Sequence, residues 1–282
     1  MKAAINEIFI IGAGRSGTNI LRDTLTKDER FITWDCDEIN YIWMHKNLKN
    51  VDDILREKDV TDGKRKFIHN EFKKLRGDTT KIVIEKTCAN CLRVEYINKI
   101  FPNARFIYIE RNPYDSISSA MIRWKSNIEL NYFLKKLRYM PFIDYPYHFI
   151  TKLKARIDKL FSSENILGSW GPMTKKLIKQ KKDLTLLEIC TLQWIESTSH
   201  AKDSLAKIDQ DRVLSISYED ISRDTRLNLS KIYEFLDVEA DENFINFLSK
   251  ESFHIKSIDK YKQILTQKEI STLKHNLEKE GY

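Results

Sequence analysis

Glycine and proline are scarce, with eight and five residues in a chain of 282, against a usual share of about 12% for the two together. Collagen-like repeats, low-complexity tracts and long flexible linkers are thereby excluded. Four cysteines are too few for a disulfide scaffold in a chain of this length. No apolar run approaches the ~18 to 20 residues that a bilayer-spanning helix needs. The opening Met1-Lys2-Ala3-Ala4-Ile5-Asn6-Glu7 has polar and charged residues where a signal peptide would be apolar. The expectation is a cytoplasmic protein without a transmembrane segment.

What the chain does contain points to a packed globular protein. Hydrophobic residues make up 41% and charged residues 32%, with 14 Phe, 12 Tyr and 5 Trp. Intrinsic disorder would require far fewer aromatics. The net charge is +7, which favours an acidic partner, and its distribution is uneven. Between Lys135 and Lys182 there are 12 Lys and Arg against Asp144, Asp158 and Glu164. No zinc-finger, homeodomain or RNP signature accompanies this stretch, so a nucleic-acid module is not expected.

Short runs rich in β-branched and aromatic residues mark buried strands at Glu7–Ile11, Lys81–Glu85, Arg105–Ile109 and Arg212–Ile216. Between them, apolar residues recur at helical spacing, as in Leu187, Cys190, Trp194, Ala201 and Leu205, in Leu229, Ile232 and Leu236, and in Ile270, Leu273 and Leu277. Strands alternating with helices predict an α/β fold with a parallel sheet flanked by helices. No repeat or composition break divides the chain, so residues 1–282 read as one domain. Residues 129–182 show no strand pattern and read as a basic helical insertion or cap.

Three of the eight glycines fall in Gly12-Ala13-Gly14-Arg15-Ser16-Gly17, after a strand and before a helix. Glycine there permits positive φ and lets an anion approach the backbone N–H groups, to which the helix adds its dipole. A phosphate or sulfate-like anion is the natural ligand. Two motifs overlap in these residues. Gly12-x-Gly14-x-x-Gly17 with Asp37 twenty residues on spells a dinucleotide fingerprint. Gly12-x4-Gly17-Thr18 spells a phosphate loop lacking the lysine that NTP hydrolysis uses. Arg15 and Ser16 argue for the second, because a cation within the loop faces the anion and offsets charge on a transferring group.

A second anion site follows the strand Arg105–Ile109. Pro113 suits the first turn of a helix and Asp115 its acidic start. On that helix Ser119 and Arg123 are i, i+4 neighbours, and Arg111 stands just before it. Two arginines and a hydroxyl suit a phosphate dianion.

Together, Ile10-Ile-Gly-Ala-Gly-Arg-Ser-Gly-Thr18 and Phe106-Ile-Tyr-Ile-Glu-Arg-Asn-Pro-Tyr-Asp-Ser-Ile-Ser-Ser119 resemble the 5′-phosphosulfate loop and 3′-phosphate motif of sulfotransferases. Asp37–Trp43, Glu85–Val94, Trp170-Gly171-Pro172 and Tyr218–Ile221 are similar, in order, to landmarks of the bacterial group related to tyrosylprotein and heparan sulfotransferases. The resemblance covers residues 7 to about 236. It implies a P-loop-like sheet that binds 3′-phosphoadenosine 5′-phosphosulfate (PAPS) as donor and releases PAP as product, with no metal. It further implies that Gly14, Arg15, Ser16, Gly17, Thr18 and Asn19 hold the 5′-phosphosulfate. Arg111, Ser119 and Arg123 would hold the 3′-phosphate, with Tyr218 near the nucleotide.

In-line sulfuryl transfer needs a carboxylate to take the acceptor's proton, a cation at the leaving oxygen, and alignment of donor and acceptor. The resemblance implies Glu38 as the base, with Asp37, Asp35 and His45 as alternatives, and Arg15 and Lys86 as cations. Asp37 would equally serve as N-cap of a helix over Glu38–Lys46. Cys88-Ala-Asn-Cys91 lacks the second pair a zinc site needs, and the six histidines show no ligand spacing. The late basic segment Phe253–Lys262 fits a nucleotide-covering lid only loosely, so Lys256 and Ser257 are not assigned to the site. The acceptor is expected to be a hydroxyl-bearing molecule, with an anionic glycan or lipid-linked sugar suiting the basic cap. The competing readings are an NAD(P)-dependent oxidoreductase, resting on the glycine fingerprint, and a non-catalytic polyanion binder acting through residues 135–182.

Overall fold

The computed structural model describes residues 5–47, 52–126, 170–250, 253 and 255–282. The β-branched runs form strands β1 (Glu7–Ile11), β2 (Phe31–Ile32), β3 (Ile82–Glu85), β4 (Arg105–Glu110) and β5 (Val213–Ser217). They pair side by side in the order β2-β3-β1-β4-β5, every pairing parallel. The last strand begins one residue later than its sequence pattern predicts. Arg212 belongs instead to a 3-10 turn, where its guanidinium donates to the Pro102 and Ala104 carbonyls.

Parallel strands need covered faces, and β1 shows why its sequence is a continuous apolar run. Ile8, Phe9, Ile10 and Ile11 are all 1% exposed or less. By strand alternation Phe9 and Ile11 enter one core with Trp43, Phe72, Phe101 and Phe106. Ile8 and Ile10 enter another with Leu21, Ile107, Ile109, Tyr218 and Leu229. The first core is aromatic, with Phe9 within 6.0 Å, centroid to centroid, of Trp43, Phe72, Phe101 and Phe106.

The helices that supply these faces are α1 (Thr18–Leu25), α2 (Asn40–Trp43), α3 (Asp62–Arg76), α4 (Val94–Ile100) and α5 (Pro113–Lys125). Further along come α6 (Lys175–Gln180), α7 (Leu186–Leu205), α8 (Tyr218–Arg223), α9 (Thr225–Phe235), α10 (Glu242–Lys250) and α11 (Gln267–Lys279). Capping boxes at Thr185/Glu188 and Thr266/Glu269 start α7 and α11. A third apolar cluster joins α5, α7 and α11 through Ile117, Trp124, Leu187, Trp194, Leu273 and Leu277. Most of the expected basic insertion lies outside the described residues, and its described end, residues 170–182, carries the six-residue helix α6. Among the described residues no helix is long and apolar enough to cross a membrane.

With β1 between β3 and β4, the chain leaves the carboxyl end of β1 at the point where the strand order reverses, which is where open α/β sheets bind ligands. The far edge is tied by a buried carboxylate. Asp28, just before β2, accepts from the Arg30 backbone and guanidinium and from the Tyr233 hydroxyl on α9 at 3.1 Å. Burial alone would raise its pKa, but the Arg30 hydrogen bonds and charge and the Tyr233 hydroxyl outweigh it and hold the carboxyl below its ordinary value. A carboxylate with a folded-state pKa below its unfolded one contributes stability above the unfolded pKa, and that contribution disappears as pH falls through the folded value. Asp28→Asn is therefore expected to cost about 1–3 kcal/mol at neutral pH. In urea titrations at stepped pH the gap to wild type should close below about pH 4.

Candidate active site

The loop from β1 to α1 is shaped by contacts that only glycine allows. A Cβ at Gly12 would lie 2.6 Å from the Ile109 carbonyl oxygen on β4. At Gly17 it would lie 2.5 Å from the ring of Tyr218, and the backbone there has φ 94°. Gly14 packs beneath Trp170 and Cys88, which a Cβ would meet at 3.3 and 3.5 Å. The loop is thus held between β4, α8 and the segment after β3. Arg15 takes φ 71°, uncommon for a residue with a side chain. Gly17 is the N-cap of α1 and no side chain caps that end, so the first N–H groups of the helix face the loop as anion donors. Ser16 and Thr18 are buried, and the Asn19 Oδ1 is buried without a hydrogen-bond partner.

Against this loop stand three arginines. Arg15 Nε donates to the Ser119 hydroxyl at 3.0 Å, and Arg111 donates to the Arg15 carbonyl at 2.9 Å. The Arg111 guanidinium also lies over the Tyr218 ring, 4.4 Å from its centroid, and donates to the Ser257 carbonyl at 2.6 Å. Desolvation lowers the Arg15 pKa, and the charges of Arg123 and Arg111 lower it further. The ion pairs among the described residues include none of these three side chains. Arg15, with the charges of Arg111 and Arg123 acting on it beside a helix N-terminus, is an arrangement whose charge a multiply charged anion would offset. Their placement follows from sequence, since Asn112 caps α5 at Tyr114 N and Pro113 occupies its first turn, fixing where Arg111, Ser119 and Arg123 project.

On the other side of Cys88 sits a carboxylate–ammonium pair. Glu38 Oε1 accepts from Lys86 Nζ at 3.4 Å and from the Cys88 N–H at 3.3 Å. Lys86 is buried while the Glu38 side chain remains 24% exposed, so the carboxylate keeps an opening to solvent. The backbone next to it is pinned: the Ile39 N–H donates to Thr87 Oγ1, whose own hydroxyl donates to the buried Glu85. Asn40 is held by Asp53 and by the fully buried Arg93. Burial raises the pKa of Glu85 and of Asp53 and lowers that of Arg93.

Asp37 is placed elsewhere. Its carboxylate and carbonyl both accept from Arg22 on α1, at 3.1 and 3.2 Å. The predicted helix over Glu38–Lys46 is a single turn at Asn40–Trp43, led by Ile39 with no side-chain cap, so Asp37 is not its N-cap. The ion pair with Arg22 takes up the carboxylate that the dinucleotide reading needs for a ribose. His45 is buried, its ring 4.0 Å from that of Phe67. Cys88 and Cys91 are buried free thiols, and burial pushes the Cys88 thiol up to about 12, so neither is a ready nucleophile. Among the described residues no group of three or more His, Cys, Asp or Glu is placed to hold a metal. The structure also brings in the segment around Ser257, which sequence reasoning left out. Its contribution is a backbone carbonyl, and no residue type announces that.

A family model described as the sulfotransferase family matches residues 7–167. Among solved structures, the chain is similar to a sulfotransferase domain from the curacin biosynthetic pathway, with 14% identity and a TM-score of 0.53 over 98% of this chain and 99% of that one. It is similar to a mouse sulfotransferase complexed with PAP, at 14% identity and TM-score 0.53 over 99% and 86%. A retinol dehydratase in complex with androsterone and the inactive cofactor PAP aligns at 12% identity and TM-score 0.51, over 99% and 82%. At such identities the likeness is one of fold. The family match does not single out a tyrosylprotein or heparan branch.

The contact between Gly17 and Tyr218 yields a test of the loop. Gly17→Ala adds both a positive-φ cost and a clash, together on the order of 1–3 kcal/mol in urea unfolding. In a Tyr218→Ala background the clash is absent, so the same substitution should cost measurably less. Equal costs in the two backgrounds would show that the ring does not press on the loop.

Proposed function

The chain belongs to the sulfotransferase family, and on that premise we propose that it transfers the sulfuryl group of PAPS to an acceptor hydroxyl on a carbohydrate or glycoconjugate. The observation that carries the donor assignment is the cluster of Arg15, Arg111 and Arg123 at the N-terminus of α1, none of them ion-paired among the described residues. In this reading the backbone of Gly14 to Thr18, the Ser16 and Thr18 hydroxyls and Asn19 receive the 5′-phosphosulfate. Arg111, Ser119 and Arg123 receive the 3′-phosphate. Beside the Tyr218 ring, whose centroid is 5.6 Å from that of Phe253, a cavity of about 570 Å³ lined by Ser222, Phe253, Ile255 and Lys256 has room for the nucleoside.

The acceptor oxygen attacks sulfur in line with the bond to the 5′-phosphate. Its proton passes to Glu38, and the S–O bond breaks with its electron pair leaving on the phosphate oxygen of PAP. Glu38 suits the role because it is partly exposed and lies beside the Lys86 ammonium, whereas Asp37 is committed to Arg22. Lys86, 3.4 Å from Glu38, offers its charge between base and leaving oxygen, and Arg15 offers a second cation from the loop. Support for an anionic acceptor comes from the basic stretch 135–182, while a cavity of about 410 Å³ that sets Arg56, Lys58, Lys175 and Lys176 against Asp52, Asp59 and Glu196 supports a polar one.

Calorimetric titration with 3′,5′-ADP beside NAD and ATP tests the donor. Binding of 3′,5′-ADP alone is expected, weakened about tenfold or more by Arg111→Ala, which removes charge-assisted bonds. Binding of NAD with 3′,5′-ADP silent would overturn the reading. For the base, Glu38→Gln is expected to lower kcat by roughly 10²–10⁴ while leaving 3′,5′-ADP affinity near wild type. A Glu38→Gln enzyme with near-normal turnover would remove that assignment.

A further inference from the structure

Asp115 lies in the first turn of α5 and is 1% exposed. Its carboxylate reaches across to another part of the chain: Oδ2 accepts from the Asp259 N–H at 2.8 Å and Oδ1 from the Tyr261 N–H at 2.9 Å. Both partners lie in the strap between Phe253 and α11. This strap contains a 3-10 turn at Ile255–Ser257, a left-handed Asp259 with φ 60°, and a second 3-10 turn at Lys260–Gln263. The Tyr114 and Tyr261 rings, 5.1 Å apart, pack the same junction.

Two residues before Asp259, the Ser257 carbonyl accepts from Arg111 Nη2, while Nη1 of the same guanidinium is taken by the Arg15 carbonyl. The Arg111 Nε is buried with no hydrogen-bond partner. A planar guanidinium gripped by two carbonyls has its remaining donors fixed in direction. One carbonyl belongs to the phosphate loop, and the other is only as well placed as the strap.

We propose that Asp115 is a positioning residue for donor binding. It holds the strap so that the Ser257 carbonyl orients Arg111 and sets the direction in which the remaining Nη donors meet the donor's phosphate. The proposal rests on the donor reading above. Among the described residues the hydrogen bonds of the Asp115 carboxylate go to strap amides, so it acts through Arg111 and not on the reacting atoms.

Asp115→Asn keeps the shape but sets an amide NH₂ against a backbone N–H. It is expected to weaken 3′,5′-ADP binding about tenfold, and to raise KM for PAPS by a similar factor with a smaller loss in kcat at saturating donor. Hydrogen exchange at the Asp259 and Tyr261 amides should accelerate. Tyr261→Pro removes one of these N–H groups from the strap side with Asp115 kept, and beyond the effect of Tyr261→Ala, which loses only the ring packed on Tyr114, it is expected to shift affinity in the same direction. Faster exchange at the strap with wild-type 3′,5′-ADP affinity in both variants would overturn the positioning role alone. A wild-type protein that does not bind 3′,5′-ADP would overturn the donor reading and this role with it.

Discussion

The Arg111 guanidinium joins three parts of the chain that share no secondary structure: the phosphate loop through the Arg15 carbonyl, the late strap through the Ser257 carbonyl, and α8 through the Tyr218 ring. Around it the charges are unbalanced. Arg15 and Arg123 stand close enough for mutual repulsion to lower the Arg15 pKa on top of desolvation. Such an arrangement carries an electrostatic cost that a bound anion would remove, so it does not serve the stability of the free protein. The sheet makes the arrangement possible, because a buried strand at its centre delivers the glycine loop to the place where the strand order reverses.

The other half of the site follows the opposite logic. Beneath Glu38 the charged residues are buried and hydrogen-bonded to neutral groups: Glu85 meets Thr87 and Asn90, Asp53 meets Asn40 and the Met173 N–H, and Arg93 meets Asn40. Groups buried this deeply add little net stability, since desolvation consumes most of what pairing returns. Their effect is geometric. They pin Ile39 and Asn40, so that the carboxylate before them projects toward Lys86 and the Cys88 N–H. Cys88 stands between the two halves, its sulfur near Gly14 and its amide on Glu38, and its contribution is small volume and a backbone donor.

Particular residues show how much of this was readable beforehand. The glycine turn, the Pro113 start of α5 and the facing of Ser119 and Arg123 depend on short-range backbone rules, and they stand where the residue pattern places them. The acidic run 35–38 was ambiguous because several adjacent carboxylates are equivalent in one dimension. Arg22, fifteen residues before Asp37, separates them in space. The strap was named as a loosely fitting lid but Ser257 was left unassigned for a related reason: Arg111 uses the Ser257 backbone, and a carbonyl has no letter in a sequence.

By itself, then, the sequence determined the class of fold, the glycine turn before α1 and the two arginine-bearing elements, because each is encoded by local periodicity, by glycine's freedom or by helix-start chemistry. Tertiary structure alone decided which carboxylate faces the loop, which is tied to α1, and which segment closes behind Arg111. Those choices depend on contacts between residues 15 to 146 positions apart, such as Arg22 with Asp37, Ile39 with Thr87 and Arg111 with Ser257, and only the packing of helices on a common sheet brings them within hydrogen-bonding distance.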